Sequence, residues 1–344
     1  MPLVTEARLR SLCQQILLAM QTPADIAEVV TDALVKADVK GVDSHGVRLL
    51  TMYLRHVEAG TIVPTARAEI TRQDGAVTLI EGHWGFGQVP ARQAARLAVD
   101  AAKQYGIGAA SLVHVQHIGR VGEYAEEMAK HGMLGIAVCN TSRTTTPHGG
   151  MLRMFGTNPL AMAVPRGNGD LLVADFATSA KSVNKLLIAR QREEPLPEGV
   201  ILDKNGYPTT DPNDFFAGGY LLPVGGYKGY ALNLFIDIIG GLLVGAGCAA
   251  LITKHPGNGA LFVALDIARW RPLNEFTADV DALLAAIKAA PAAPGVEEVL
   301  LPGELEARAE EQRLRKGIPL DEETWEELHI VAQKVGLPAG VFGK

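Results

Sequence analysis

The sequence predicts a mixed α/β chain, in the α+β sense: a central α/β domain inserted between two parts of one helical domain that both chain ends build. Three observations predict this. Helical periodicity with good caps fills residues 1–60 and returns at 304–336. Strand-like and helix-like segments alternate between about 76 and 176. At 344 residues, with 48% hydrophobic and 20% charged side chains, the chain can fill two cores. The boundaries expected are 1–68 plus 285–344 for the helical domain and 69–284 for the α/β domain.

Residues 5–20 have helical periodicity, and QTPADIAEVVTDALVKADVKG reads as a complete helix. Thr22 is a good N-cap, Pro23 suits the first helical position, Asp25 can close a capping box and Gly41 supplies the stop. Asp43 or Ser44 can cap a third helix running to about Gly60. AVTLI (76–80) then reads as a strand, followed by a loop loosened by Gly82, Gly85 and Gly87. QVPARQAARLAVDAAKQYG is helical, GAASLVHV a strand, GRVGEYAEEMAKHG a helix and MLGIAVCN a strand. LAMAVP (160–165) and LLVADF (171–176) add two more. APAAPG reads as a linker or surface turn, ahead of two tail helices, the second capped by Asp321.

Composition excludes several classes. The net charge is −6 and no Lys/Arg block stands out, so no nucleic-acid partner is expected. The three cysteines, Cys13, Cys139 and Cys248, are far apart and in no metal-like spacing. They suit a reducing cytosolic compartment, and no metal site is expected. The N-terminus has no signal-peptide pattern. The apolar run ALNLFIDIIGGLLVGAGCAA (231–250) is long enough to span a bilayer, but it holds Asp237 and several glycines. A buried core helix stopping near Gly240 is the expectation, with no membrane partner.

Four stretches carry candidate chemistry. If 44–56 is one helix, His45, Arg48, Met52 and His56 share a face, with Leu50, Leu54 and Val57 opposite. By spacing alone that face suits a capped helix with a solvated side better than a wall turned to a cleft. SLVHVQHIGRVGEY (111–124) places His117 where a strand hands over to a helix, where α/β sheets bind ligands. A loop histidine bonded to backbone fits as well, and His114 reads as a core strand residue. Asp175 ends an apolar strand, where a carboxylate needs a partner, so it can orient a histidine or bind a ribose hydroxyl. PVGGYKGYALN (223–233) sets a glycine turn and Lys228 ahead of a helix, which suits phosphate. No G-x-G-x-x-G lies between a strand and a helix; GHWGFG has its glycines in another order.

In order along the chain stand DSHGVRLL with Tyr53 (43–53), GFGQ (85–88), H-x-G (117–119), GTNPLAMAVP (156–165), DFATSA (175–180), LDKNGYPTTDP (202–212), LLP-x-GGYKGYAL (221–232) and LPGE (301–304). This ordered set resembles the type 2 malate/L-lactate dehydrogenases, a family that includes ureidoglycolate, sulfolactate and diketogulonate enzymes and a branch of cyclic-imine reductases. The resemblance implies a non-Rossmann NAD(P)-binding α/β domain and an oxidoreductase acting on small 2-oxo or 2-hydroxy carboxylates. NAD or NADP would be the cofactor, and a homodimer the assembly, with the active site near the subunit interface. It implies that His45 and His117 carry the proton chemistry, with Ser44 or Asp175 holding an imidazole. Substrate contacts fall on Arg48, Tyr53 and Arg120. Cofactor contacts fall on His45, Thr141, Asp175, Phe176, Ala177, Lys228 and the turn Pro302, Gly303 and Glu304.

The chain also departs from the family pattern. Many members place arginine four residues after the SHG histidine; Leu49 stands there, and Arg48 comes one earlier, a rotation of about 100° on a helix. Arg120 or Arg143 can take over a carboxylate. Asn184 replaces the glycine before Lys185, and Val200 replaces a tryptophan. The implied reaction delivers a hydride to C2 of a 2-oxo acid while His45 or His117 protonates the new oxygen. Reduction of a cyclic-imine carboxylate, or dehydrogenation of ureidoglycolate or sulfolactate, is the enzymatic alternative. An inactive nucleotide-binding homologue is the other.

Overall fold

The structure, a computed structural model, describes residues 2–251 and 257–342. In chain order it runs β1 (Leu3–Val4), α1 (Glu6–Ala19), α2 (Ala24–Val39), a 3-10 turn (Asp43–His45), α3 (Leu49–Glu58), β2 (Glu69–Asp74), β3 (Val77–Glu81) and α4 (Gln88–Tyr105). There follow β4 (Ile107–Val115), α5 (Gly122–Lys130), β5 (Met133–Cys139), β6 (Leu160–Pro165), β7 (Leu171–Phe176) and α6 (Val183–Gln191). Then come β8 (Ile201–Leu202), β9 (Pro208–Thr209), α7 (Pro212–Phe216), β10 (Tyr220–Leu221) and α8 (Tyr227–Asp237). The chain closes with β11 (Asn258–Asp266), α9 (Leu273–Lys288), α10 (Glu304–Lys316), β12 (Ile318–Pro319) and α11 (Glu322–Lys334).

A seven-stranded sheet in the order β2-β3-β4-β11-β5-β6-β7 forms the centre. Only β3 and β4 run parallel; every other neighbouring pair is antiparallel. Strand β11 fills the middle of the sheet and pairs with both β4 and β5. Helices α4 and α5 pack on the sheet through alanines: Ala91, Ala94, Ala95, Ala98, Ala102, Ala125 and Ala129 are fully buried. Small side chains let helix and strand backbones approach closely. A Cβ at Gly108 would overlap the Ala98 carbonyl.

A second core joins the two chain ends. Leu9, Ile16, Leu17, Ile26, Val30, Leu34, Leu50 and Tyr53 pack with Ile318, Leu328 and Val331. Strands β1 and β12 pair antiparallel, Leu3 opposite Pro319 and Val4 opposite Ile318. A third, small core gathers Leu186, Leu196, Val200, Ile201, Phe215 and Leu221 beside the sheet β10-β8-β9. Val200, where the family pattern has tryptophan, is 5% exposed there.

Three local expectations are corrected. Thr22 does not cap α2; Pro23 holds that position, Thr22 is buried with its hydroxyl unpartnered among the described residues, and Asp25 pairs with Arg67 at 2.6 Å. The stretch 44–58 is not one helix. A 3-10 turn ends at His45 and α3 starts at Leu49, so His45 and His56 do not share a helical face. The cause is Asp38, whose carboxylate accepts the Val47 N–H at 2.8 Å and pins the backbone between the two. Third, α8 ends in a π-helical turn, Ile238–Leu242, but it is not a buried helix. Asp237 is buried and accepts from Asn140 at 3.2 Å, while Phe235 is 63% and Leu243 69% exposed. Among the described residues no helix is long and apolar enough to cross a membrane.

A Cβ at Gly46 would overlap the carboxylate of Asp38, which is buried. Gly46→Ala is therefore expected to destabilise the protein by about 1–3 kcal/mol, read as a lowered denaturant midpoint at unchanged slope.

Candidate active site

One cavity of about 1450 Å³ opens between the Asp43–His45 turn, the start of α5, the end of β7 and the 301–304 turn. It exceeds the roughly 300–1,000 Å³ usual for small-molecule sites, which leaves room for a dinucleotide and a small acid together. Ser44, His45, Arg120, Asp175, Phe176, Ala177, Pro302, Gly303 and Glu304 line it.

His45 projects from the 3-10 turn that Asp38 pins. Its Nδ1 lies 2.9 Å from Ser44 Oγ. Asn184 Nδ2 donates to the Ser44 carbonyl at 3.0 Å, tying the turn to α6. The His117 ring stacks on His45, centroids 5.5 Å apart and planes at 25°. Thus two histidines separated by 72 positions meet as one pair, His45 in the cavity lining and His117 stacked on it. Behind His117 stands Tyr53, its hydroxyl 3.0 Å from Nδ1, and Gln88 Nε2 donates to that hydroxyl at 2.6 Å. The Gly119 N–H donates to the same Nδ1 at 3.2 Å.

Both imidazoles are held neutral. Burial, followed by the Arg120 charge, lowers His45 to about 4. Burial, followed by His45 and His56, lowers His117 to about 3. Burial also raises the Tyr53 phenol above its ordinary range.

Asp175 does not orient either histidine. Its carboxylate accepts the Gly122 N–H at 2.9 Å, at the start of α5, and lies 3.6 Å from Arg120. Burial raises the carboxyl above its ordinary value, against the pull of Arg120 and Gly122. Ser44 is thus the candidate holder that touches a ring. Arg120 lines the cavity, but its side chain is 5% exposed and donates to Glu126 at 2.8 Å. Its guanidinium is occupied by two carboxylates rather than presented to a third.

Other expected residues are not brought into the cavity lining. Arg48 stands outside it, at the N-cap of α3. Tyr53 is 1% exposed, and its hydroxyl serves Gln88 and His117. Arg143 donates to the Ala249 carbonyl. Thr141 is fixed one layer back, its N–H on Asn158 Oδ1 and its hydroxyl receiving the Thr157 N–H, both at 2.9 Å; Thr157 takes the lining position. Lys228 lines a separate apolar depression on α8 with Tyr227, Ala231, Leu232 and Phe235. His114 is no core residue: it is exposed, with φ 50°, and pairs with Glu81 at 2.7 Å. Glu304 is anchored by Lys288 at 3.0 Å and by the Leu301 N–H at 2.9 Å. Gln88 and Gly119 had no assigned role in the sequence, although both lie inside quoted motifs. Among the described residues no cluster could hold a metal.

The depressed histidine values set the acid response. Between about pH 6.5 and pH 4 the unfolded chain takes up protons that the two folded-state rings refuse, so stability falls as pH drops. The double variant His45→Gln/His117→Gln is expected to lose less stability over that range than the wild type, measured by urea midpoints at pH 7 and pH 4.5.

The chain matches the family model described as malate/L-lactate dehydrogenase over residues 4–329. It is 35% identical over 334 residues to a malate/(S)-sulfolactate dehydrogenase of Methanothermus fervidus, covering 95% of this chain and 96% of that one. The fold superimposes on the malate dehydrogenase of Pyrococcus horikoshii OT3 with a TM-score of 0.91 at 32% identity, covering 98% and 96% of the two chains. It superimposes on a delta1-piperideine-2-carboxylate reductase of Pseudomonas syringae pvar. tomato with a TM-score of 0.86 at 26% identity, covering 96% and 100%.

Proposed function

The chain belongs to the malate/L-lactate dehydrogenase family, and from that premise we propose that this oxidoreductase interconverts small 2-oxo and 2-hydroxy acids with NAD or NADP at the His45–His117 cavity. The observation that carries the proposal is the stacked imidazole pair whose His45 ring lines the cavity.

The residues suit a dinucleotide. Phe176 is 39% exposed and offers an aromatic face, and Lys181 and Lys185 stand on the same lining for pyrophosphate. Gly303 adopts φ +80°, and a Cβ there would lie 3.0 Å from the Val173 carbonyl oxygen. When bound, the nicotinamide supplies or removes the hydride at C2 of the acid. The protein's part is the proton. Ser44 orients His45, and Tyr53 and Gly119 orient His117 beside it. An arriving substrate carboxylate favours the imidazolium form and raises a ring that is neutral in the free protein. The pair thereby gains a proton for the new hydroxyl in reduction and accepts it in oxidation.

A second copy of the chain completes the assembly. The exposed apolar face of α8 and the turn after it, with Tyr227, Leu232, Phe235 and Leu243, supports a homodimer built on that face. Lys228 lies on the same surface, so a neighbouring copy would bring it toward a cleft. Three buried free thiols accord with a reducing compartment.

His45→Ala and His117→Ala are each expected to cut turnover about 10²–10⁴-fold while cofactor still binds. The assay follows NADH and NADPH oxidation with oxaloacetate, pyruvate, sulfopyruvate and piperideine-2-carboxylate. Near-normal rates in both variants overturn the proton role; turnover of the cyclic imine alone moves the substrate to the imine class. Phe235→Asp is expected to convert a dimer to a monomer in light-scattering chromatography.

A further inference from the structure

We propose that Gln88 is a positioning residue that, through Tyr53 and together with the Gly119 N–H, fixes the proton of His117 on Nε2, so that His117 hydrogen-bonds the substrate oxygen while His45 carries the proton. This rests on the reading that both rings serve the reaction.

The direction of the chain of hydrogen bonds follows from what each group can do. A backbone N–H only donates, so Nδ1 of His117 is an acceptor toward Gly119, 3.2 Å away. The Gln88 amide nitrogen only donates, so the Tyr53 oxygen accepts from it at 2.6 Å. Tyr53 is then left with its one hydrogen to give, and Nδ1 is 3.0 Å away. Two donors converge on one ring nitrogen. A neutral imidazole has one N–H, and here it can only be on Nε2.

The arrangement carries a local cost. Gln88 is fully buried, and its Oε1 has no hydrogen-bond partner among the described residues. A buried carbonyl left this way is unfavourable. Turning the amide over would let Oε1 take the Tyr53 hydrogen. Tyr53 would then face Nδ1 with a lone pair and demand Nδ1–H, which would point at the Gly119 N–H. Gly119 is held at φ +80°, a conformation that glycine accepts, with Gln88 Cγ 3.4 Å from where a Cβ would be. The glycine, the amide and the phenol therefore act together on one nitrogen.

The consequence is a division of labour. Protonating His117 on Nδ1 would set two N–H groups against each other, so this ring stays a neutral Nε2–H donor. His45 has no such constraint: its Nδ1 faces the Ser44 hydroxyl, which can donate or accept. In reduction, C2 gains the hydride, the carbonyl electron pair moves onto oxygen, and the His45 imidazolium gives that oxygen its proton. His45 is recharged from solvent through the cavity. The charged or titratable groups facing His117 are His45, His56 and Tyr53; those facing His45 are His117 and Arg120.

The test is nitrogen NMR on ¹⁵N-histidine-labelled protein at pH 7 without substrate, with His117 assigned by its loss in His117→Gln. Unprotonated Nδ1 and protonated Nε2 are expected; the opposite tautomer overturns the proposal with no variant needed. In Gln88→Leu the Nδ1–H form is expected to grow, with kcat down about tenfold and the pH profile shifted, at unchanged cofactor affinity. Tyr53→Phe should release the tautomer in the same way, and adding Gln88→Leu to it should change nothing further. A Gln88→Leu protein that binds cofactor normally and keeps the wild-type tautomer and profile removes Gln88 from the role. Because the tautomer is read without turnover, a protein with Nε2–H that reduces none of the acids overturns the proposed function and the substrate role of His117, while the placing of its proton by Gln88 and Tyr53 stands.

Discussion

The bond between the Asp38 carboxylate and the Val47 N–H, 2.8 Å long and sealed from water, is the constraint on which the geometry of the candidate site depends. Burial drives the carboxyl well above its ordinary value, and the Asp43 charge nearby adds to that. Around it the C-terminal part of the chain closes in. Arg313 of α10 donates to the Asp38 carbonyl at 2.5 Å and also to the Asp43 carboxylate. Ala309 of α10 packs 3.1 Å from where a Cβ on Gly41 would sit. The turn carrying His45 is thus clamped from α2, from α10 and, through Asn184, from α6. A histidine on an ordinary exposed helix would have none of this restraint.

The opposite wall is held by charge. Arg120 pairs with Glu126 and Asp175, Lys40 reaches Glu126 at 3.7 Å, and Arg92 binds both Asp32 and Glu123. These pairs cross from α2 to α4, α5 and β7, and so connect the core of the chain ends to that of the central sheet. Their partial burial makes each member costly to orphan. The same network explains why Arg120 does not serve as a free anion clamp: its charge is already balanced. Its remaining influence is on His45, which it helps to keep unprotonated until a negative ligand arrives.

Much of this was legible in the residues. The helices at both ends and the strands at 76–80, 108–115, 133–140, 160–165 and 171–176 follow from periodicity; the two histidines stand out only through the family resemblance that the motif order carries, and their stacking is seen in the structure. The chain's most central strand was not. NGALFVALD alternates only weakly, because Ala260, Phe262 and Ala264 on one face are fully buried and Leu261 and Val263 on the other are partly so. Its pairing with β4 and β5 depends on residues more than 100 positions away, beyond any local signal. The break after His45 escaped for a similar reason: the group that causes it, Asp38, belongs to the preceding helix. The apolar run at 231–250 looked like core because hydrophobicity alone does not distinguish an inward face from an uncovered one.

The antiparallel clasp of β1 with β12 has a further consequence for how the molecule comes into being. Leu3 and Val4 are made well before their partners, Pro319 and Ile318. During synthesis α1 and α2 must wait, partly uncovered, until Ile318, Leu328 and Val331 have followed. The Asp43–His45 turn cannot be clamped before Arg313 emerges. A chain that stops short of residue 313 can carry every strand of the seven-stranded sheet and still lack the arginine that holds the His45 turn.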